Sequence, residues 1–239
     1  MHNITLIGSV HSEIGKCNSD ELYKILEFIN PEVIFGELSS NLFDIINSDL
    51  FDNMYCNLHN RILFPNPPEV PLELKCMKKY LQNHNIKYIP VNIDVNPNLS
   101  ESEKEMFATF NKEDDYKKLE QEQYLLTKQY GFDYLNSDKH LDLSEQMKNI
   151  EKNIVKSEIH KNRLPHIYKL FRKKYLDIPE NAMLLNIYNY SKENQYNQAV
   201  FLIGAGHRKS IMQKIIEYEK VSEIKLNWTI YDNKQKNSR

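Results

Sequence analysis

Two histidines and two carboxylates close apolar runs in this chain, and that placement is its main hint of chemistry. Leu6-Ile7-Gly8-Ser9-Val10-His11 near the start is echoed by Leu202-Ile203-Gly204-Ala205-Gly206-His207 near the end. Each run stops at a glycine, with a histidine three residues on. A short apolar run of this kind reads as a buried strand, and the glycine marks its end. Open α/β sheets hold their ligands outside the carboxyl ends of their strands, so His11 and His207 are expected at one sheet edge. Glu37 ends a third such run, Val33-Ile34-Phe35-Gly36, and Asp94 follows a fourth, around Ile89 to Ile93. Imidazoles combined with carboxylates suit a divalent ion such as Mn, Co, Zn or Fe, so His11, Glu37, Asp94 and His207 form the expected ligand set. Without a metal, His11, Glu37 and His207 can act as acids and bases near neutrality. Gly8, Gly204 and Gly206 would let backbone amides approach a ligand, and a helix opening near His207 would offer its N-terminus to an anion.

Plainer readings stand beside these. A strand-end histidine is also a common hydrogen-bonded structural residue, and Asp94-Val95-Asn96-Pro97 suits a simple turn. Glu13 fits helix capping or exposure better than a site. Cys17 has no activating neighbour in sequence. Glu37 is harder to explain structurally, because burying an unpaired carboxylate is costly. His2, His59, His84, His140, His160 and His166 read as surface residues. Arg163 and His166 are the strongest substrate contacts in the middle of the chain, and Arg172-Lys173-Lys174 reads as a solvated helix face.

The elements that must position these groups alternate at both ends of the chain. A strand at Thr5 to Gly8 leads to a helix from about Ser19, with Asn18 and Glu21 as its capping pair and Pro31 as its stop. Further expected elements are a strand over 32–37, a helix over 41–47, a rigid loop at Phe64 to Pro68, a helix over 72–83 and a strand over 86–95. Pro90 argues against a central position for that last strand. From about Ser100 to Tyr190 the chain is charged and nearly free of glycine, which predicts several helices punctuated at Gly131 and Pro165. A strand over 199–203, a helix over 207–217 and an edge strand over 223–231 follow. The reading is an α/β protein: a central mixed sheet flanked by helices, with a helical insertion between the third strand and the C-terminal strands. The parts are an N-terminal half at 1–99, an insertion or lid at 100–190, a C-terminal part at 191–231 completing the same sheet, and a disordered tail at 232–239.

Composition bounds the function. The chain has 239 residues, 41% of them hydrophobic, enough for one domain or one domain with a sizeable insertion. A formal net charge of -2 gives no electrostatic footprint for nucleic acid. No apolar stretch approaches the roughly 20 residues that span a bilayer. A first strand at about Asn3 leaves no room for a signal peptide. The three cysteines, Cys17, Cys56 and Cys76, form neither a disulfide framework nor a paired metal motif. A cytoplasmic protein with a small-molecule or peptide substrate is expected, with no nucleic acid and no membrane partner; its oligomeric state is not legible.

Gly8-Ser9-Val10-His11, Pro31-Glu32-Val33-Ile34-Phe35-Gly36-Glu37-Leu38 and Gly204-Ala205-Gly206-His207 together resemble the TraB/Tiki/erythromycin-esterase-like superfamily, which also includes the ChaN haem-binding proteins. Its members carry two Gly-x-x-His motifs near opposite ends, a glutamate ending the second strand and a helical insert. The resemblance implies an α/β sheet with its active site at the strand ends and, in several branches, hydrolysis of an ester, lactone or amide bond, metal-dependent in some. One departure stands out. The family has an arginine opening a helix three or four residues before a methionine; here Met183 is present, but Pro179 and Glu180 occupy the arginine's positions. The expectation is a hydrolase, metal-assisted, with a small-ligand or haem-type binding or signalling module as the alternative.

Overall fold

The computed structural model describes residues 2–37, 70–94, 98–157 and 163–232. Five strands, β1 (His2–Ser9), β2 (Val33–Gly36), β3 (Lys87–Pro90), β4 (Gln198–Gly204) and β5 (Leu226–Ile230), form one sheet in the order β3-β2-β4-β1-β5. The α/β sheet flanked by helices is therefore present, but every strand pairing is parallel rather than mixed. The connections explain this: each link between successive strands carries at least one helix, as a parallel crossover requires. The third strand is shorter than expected, ending at Pro90 on the sheet edge, and β5 is the opposite edge. The expected helix over 41–47, the proline-rich loop at 64–68, Val95, Cys56, His59, His160 and the tail from 233 lie outside the described residues.

Helix α1 (Ser19–Ile29) starts where Asn18 accepts the Glu21 N–H at 2.9 Å and ends at Asn30, whose φ of 52° turns the chain. With α2 (Leu72–Asn83) it covers one face of the sheet, burying Ile7, Ile34, Val200 and Leu202 against Leu22, Leu26, Met77 and Tyr80. Then come α3 (Glu101–Phe110), α4 (Asp114–Tyr130), α5 (Phe132–Leu135), α6 (Asp138–Lys156), α7 (Leu164–Arg172) and α8 (Ile178–Glu193). The last helix is α9 (Arg208–Val221), preceded by a single 3₁₀ turn at Ala205–His207. Helices α8 and α9 cover the opposite face, where Leu6, Val33, Phe35, Phe201 and Ile203 alternate with the first set. Burying each such side chain stabilises the fold by about 1.5–3 kcal/mol, which is why register is firmly fixed on a two-sided sheet.

The helices between β3 and β4 have a core of their own, built from Met106, Phe110, Tyr116, Val155 and Leu164. They also merge with the sheet layers. Phe132, Tyr134, Leu135 and Leu143 join the α1–α2 core, and α8, whose span contains residue 190, is a flanking helix of the sheet itself. Asn136 seals one junction. Its side-chain amide accepts from Gly8 N–H at 2.7 Å and donates to Gly8 C=O at 3.0 Å, copying a strand partner beyond the end of β5. Gly131 marks the expected break. It has φ +58°, and a Cβ there would meet the Lys16 carbonyl at 2.7 Å. Pro165 opens α7, also as expected. Between α7 and α8 runs a π-helical turn, Lys173–Asp177, which widens the helix just before Pro179. A proline ring would otherwise clash with the carbonyl four residues earlier.

Two histidines expected at the surface are buried. His2 stacks on Tyr196, with Nδ1 2.8 Å from the Tyr196 carbonyl, and His140 packs edge-on to Tyr134. Burial and the nearby Arg208 charge push the His140 imidazole down to about 4, so it is neutral. Both owe their burial to tertiary packing, which no local pattern reports.

Candidate active site

The strand order sets the site. Strands β2, β4 and β1 are neighbours, with Gly36 beside Leu202 and Ser9 beside Gly204. Their carboxyl ends therefore carry Glu37, His207 and His11 to one edge of the sheet. Glu37 reaches across: its Oε2 accepts the Gly204 N–H at 2.6 Å, and its Oε1 lies 3.3 Å from His207 Nε2. The other His207 nitrogen, Nδ1, lies 2.8 Å from Oε1 of Glu180. The imidazole is thus held between two carboxylates.

Glu180 is 1% exposed and fully engaged. Its Oε2 accepts from Ser210 Oγ at 2.5 Å and pairs with Lys214 Nζ at 2.8 Å. His207, Ser210 and Lys214 are three and four residues apart, one face of a helix, and that face is turned onto Glu180. Burial alone would push His207 down, yet Glu180 and Glu37 outweigh it and raise the imidazole to about 9. Burial would likewise raise Glu37 and Glu180, but the hydrogen bonds and charge of His207 hold both below the usual carboxylate range, helped by Gly204 N–H at Glu37 and by Lys214 and Ser210 at Glu180. At neutral pH this is an imidazolium between two carboxylates.

His11 is held differently. The chain leaves β1, and the first turn of α2 meets it: Leu72 N–H donates to the His11 carbonyl at 2.9 Å. The next residue, Glu73, accepts from Ser9 Oγ at 2.6 Å and lies 3.3 Å from His11 Nδ1 through the same Oε1. The Glu73 hydrogen bond raises His11 to about 9 against the effect of burial, and the charges of Glu37 and His207 act on it as well. The His11 side chain is 72% exposed, against 15% for His207. Oε2 of Glu73 is buried and has no hydrogen-bond partner among the described residues. Tyr88 sits nearby. Its hydroxyl occupies the space over Gly36, where a Cβ would lie 1.7 Å away, and burial with the charges of Glu73 and Glu37 pushes the phenol far up.

The remaining expected residues fall in varied places. Asp94 is exposed beyond the end of β3. Among the described residues no group of three His, Cys, Asp or Glu side chains is arranged to hold a metal ion. Both His207 nitrogens face carboxylates, Nε2 toward Glu37 and Nδ1 toward Glu180, a pattern that a metal-ligating histidine with a co-ligand and an outer carboxylate partner would also show. Gly8 and Gly204 have their amides engaged by Asn136 and Glu37, whereas a Cβ on Gly206 would meet nothing within 4 Å. Glu13 caps, accepting from Ser19 N–H at 3.1 Å and pairing with Lys75 at 2.9 Å. Burial pushes the Cys17 thiol up to about 12, so it is no nucleophile. Arg163 is exposed, bonded to Ser102, and His166 is exposed.

Sequence reasoning missed Glu73 and Tyr88, and noted Glu180 only as an oddity. The signal for Glu180 was the spacing of His207, Ser210 and Lys214. For Glu73 it was a carboxylate between Leu72 and Leu74, both buried. A scan against protein-family models, a search of curated proteins and a search of solved structures each found no match.

The site can hold a carboxylate base beside two protonated imidazoles, at the mouth of three parallel strands.

Proposed function

We propose that the protein is a hydrolase of the TraB/Tiki/erythromycin-esterase-like type, opening an ester, lactone or amide bond of a small molecule or peptide. The observation that carries this reading is the Glu180–His207–Glu37 array at the strand ends. Glu37 is the base: it takes a proton from water as the oxygen adds to the scissile carbonyl carbon. His11, exposed and protonated at neutral pH, is the acid. It gives its proton to the leaving oxygen or nitrogen as the bond to carbon breaks. Glu37 then loses its proton and His11 regains one by exchange with solvent. His207 and Glu180 are positioning residues that hold the Glu37 carboxylate ionised and oriented. No step in this scheme runs through a metal ion.

One observation favours a second reading, a small-ligand binding or signalling module without turnover. Both imidazoles sit near 9 and are paired with carboxylates, so neither is a proton acceptor at neutral pH, which suits a site that binds a polar ligand without turnover. The test is hydrolysis of a panel of p-nitrophenyl esters, lactones and p-nitroanilides by wild type and Glu37→Gln, each with and without a chelator. Turnover that falls by about 10²–10⁴-fold in Glu37→Gln and survives chelation supports the acid–base hydrolase. Turnover abolished by chelation and restored by Mn, Co or Zn supports a metal-assisted hydrolase instead. No turnover on any substrate leaves the binding module.

A further inference from the structure

The helical segment between β3 and β4 borders a half-open cavity of about 210 Å³ that reaches the turn carrying His207. Its walls come from α3, α6 and α7, and its far side is Ala205, Gly206 and Lys209. Phe107, Phe110, Tyr168 and Phe171 supply an aromatic lining. Lys148, Arg172 and Lys209 bring positive charge to it, against the carboxylates of Glu145 and Glu151.

The charges are not equally satisfied. Glu145 pairs with Lys209 at 3.0 Å, and Glu151 accepts from Tyr168 at 2.8 Å and Tyr116 at 3.3 Å. Arg172 is half-buried and lies over the Tyr168 ring, while Lys173 beside it is exposed, as a solvated face predicts. Lys148 makes no ion pair and no hydrogen bond among the described residues, while burial and the charge of Arg172 lower its pKa. Glu145 acts on it only at a distance and is itself paired with Lys209, so a half-buried ammonium with cationic neighbours and no direct carboxylate contact is stabilised by an incoming anion. An apolar cavity of about 150 Å³ is enough to hold benzene. A cavity of 210 Å³ has room for one ring and a short charged arm.

We propose that this cavity is a recognition pocket for a small carboxylate anion with a ring-sized apolar body, with Lys148 as its ion partner and Gly206 as its gap toward His207. The inference rests on the hydrolase reading in one respect only: it identifies the bound anion with the non-reacting part of the substrate. Gly206 fits the part. It lines the cavity, its φ lies outside the left-handed region and a Cβ there would meet nothing within 4 Å, so a larger side chain can be placed at the cavity rim without straining the turn. The aromatic wall supplies affinity and the ammonium supplies discrimination, the division usual in small-molecule sites.

The test is calorimetric titration of wild type, Lys148→Met, Gly206→Leu and Lys24→Met with 3-phenylpropionate and with its neutral amide. Circular dichroism would check that each variant is folded. Wild type is expected to bind the carboxylate with a Kd at or below about 1 mM and the amide at least about tenfold more weakly. Lys148→Met should remove that preference and Gly206→Leu should weaken both ligands, whereas Lys24→Met, an exposed lysine of α1 outside the cavity, should bind like wild type. Absence of binding by wild type, equal affinity for acid and amide, or indifference to both Lys148→Met and Gly206→Leu would each overturn the pocket. Binding as expected in a protein that hydrolyses nothing would sink the hydrolase reading and leave the pocket standing. Hydrolysis without such binding would do the reverse.

Discussion

The two Gly-x-x-His segments have the same spacing and opposite fates. His207 lies in a 3₁₀ turn that runs straight into α9, is 15% exposed and faces carboxylates through both nitrogens. His11 lies past the end of β1 with no helix directly behind it, is 72% exposed and faces one carboxylate through Nδ1. The contrast assigns roles. A ring clamped on both sides is a fixed charge that orients its neighbours, while a ring held on one side keeps Nε2 for chemistry. It also locates stability: charge pairs count when water is excluded and fade where it is not.

The strongest test of this division is Glu37→Gln. Both imidazolium charges act on Glu37. Replacing it with its neutral isostere should lower kcat on any hydrolysed substrate by about 10²–10⁴-fold, with KM little changed. His11→Asn should also lower kcat, whereas Glu180→Gln should lower it less. If Glu180→Gln were the most damaging, the base and the positioning residue would have been assigned the wrong way round.

On stability the order inverts. Glu180→Gln leaves Lys214 and the His207 imidazolium around a buried neutral amide, and breaking a buried pair from one side costs about 3–5 kcal/mol. For a chain of this size that corresponds to a fall in Tm of roughly 6–20 °C, measurable by calorimetry. In the same variant the His207 ring, followed by NMR, should titrate well below the wild-type value of about 9.

The pH dependence follows from the same shift. His207 is raised from 6.5 to about 9, so its contribution is complete below pH 6.5 and is lost as pH rises through about 9. The size is about 3 kcal/mol, from roughly 1.4 kcal/mol per pKa unit. Glu37 and Glu180, both lowered, act at the other end. Their contribution is present above the usual carboxylate range and disappears as pH falls below it. Denaturant unfolding between pH 6 and 10 should therefore show a decline for wild type that Glu180→Gln largely lacks.

How far the site was legible in sequence depends on distance along the chain. Strands β1, β2 and β4 announce themselves as apolar runs ending at glycine, and their ends carry three of the groups. The strand order was not legible. Nothing local says that β4 inserts between β1 and β2, yet that insertion is what brings Glu37 to Gly204. The sheet was expected to be mixed, although a helix expected in every link between strands already suits parallel crossovers. The partners of the histidines were harder still. Glu73 and Glu180 come from helices 62 and 27 residues away from the histidines they hold. Gly36 shows the same limit. It reads as a strand end, but its small size makes room for the Tyr88 hydroxyl, so Gly36→Ala should displace that ring and destabilise the fold by about 1–3 kcal/mol.

The smallest effect belongs to Glu73→Gln, and it tests the comparison from the exposed side. The His11–Glu73 pair has water on the histidine, so its loss should cost about 0–1 kcal/mol, within the range of exposed ion pairs. A second consideration opposes even that loss. Oε2 of Glu73 is buried without a partner among the described residues, and a neutral amide in its place lowers the cost of keeping that charged oxygen from water. The two contributions nearly cancel in stability but not in titration. The hydrogen bond from Glu73 is the main cause of the high His11 pKa, so the ring should fall from about 9 toward its ordinary 6.5 in Glu73→Gln. The alkaline limb of any pH–rate profile should move with it, because the acid loses its proton earlier. A variant that barely melts earlier but loses its activity at lower pH places His11 among the reacting groups. A large loss of stability with an unmoved alkaline limb would make His11 and His207 two structural clamps of the same kind.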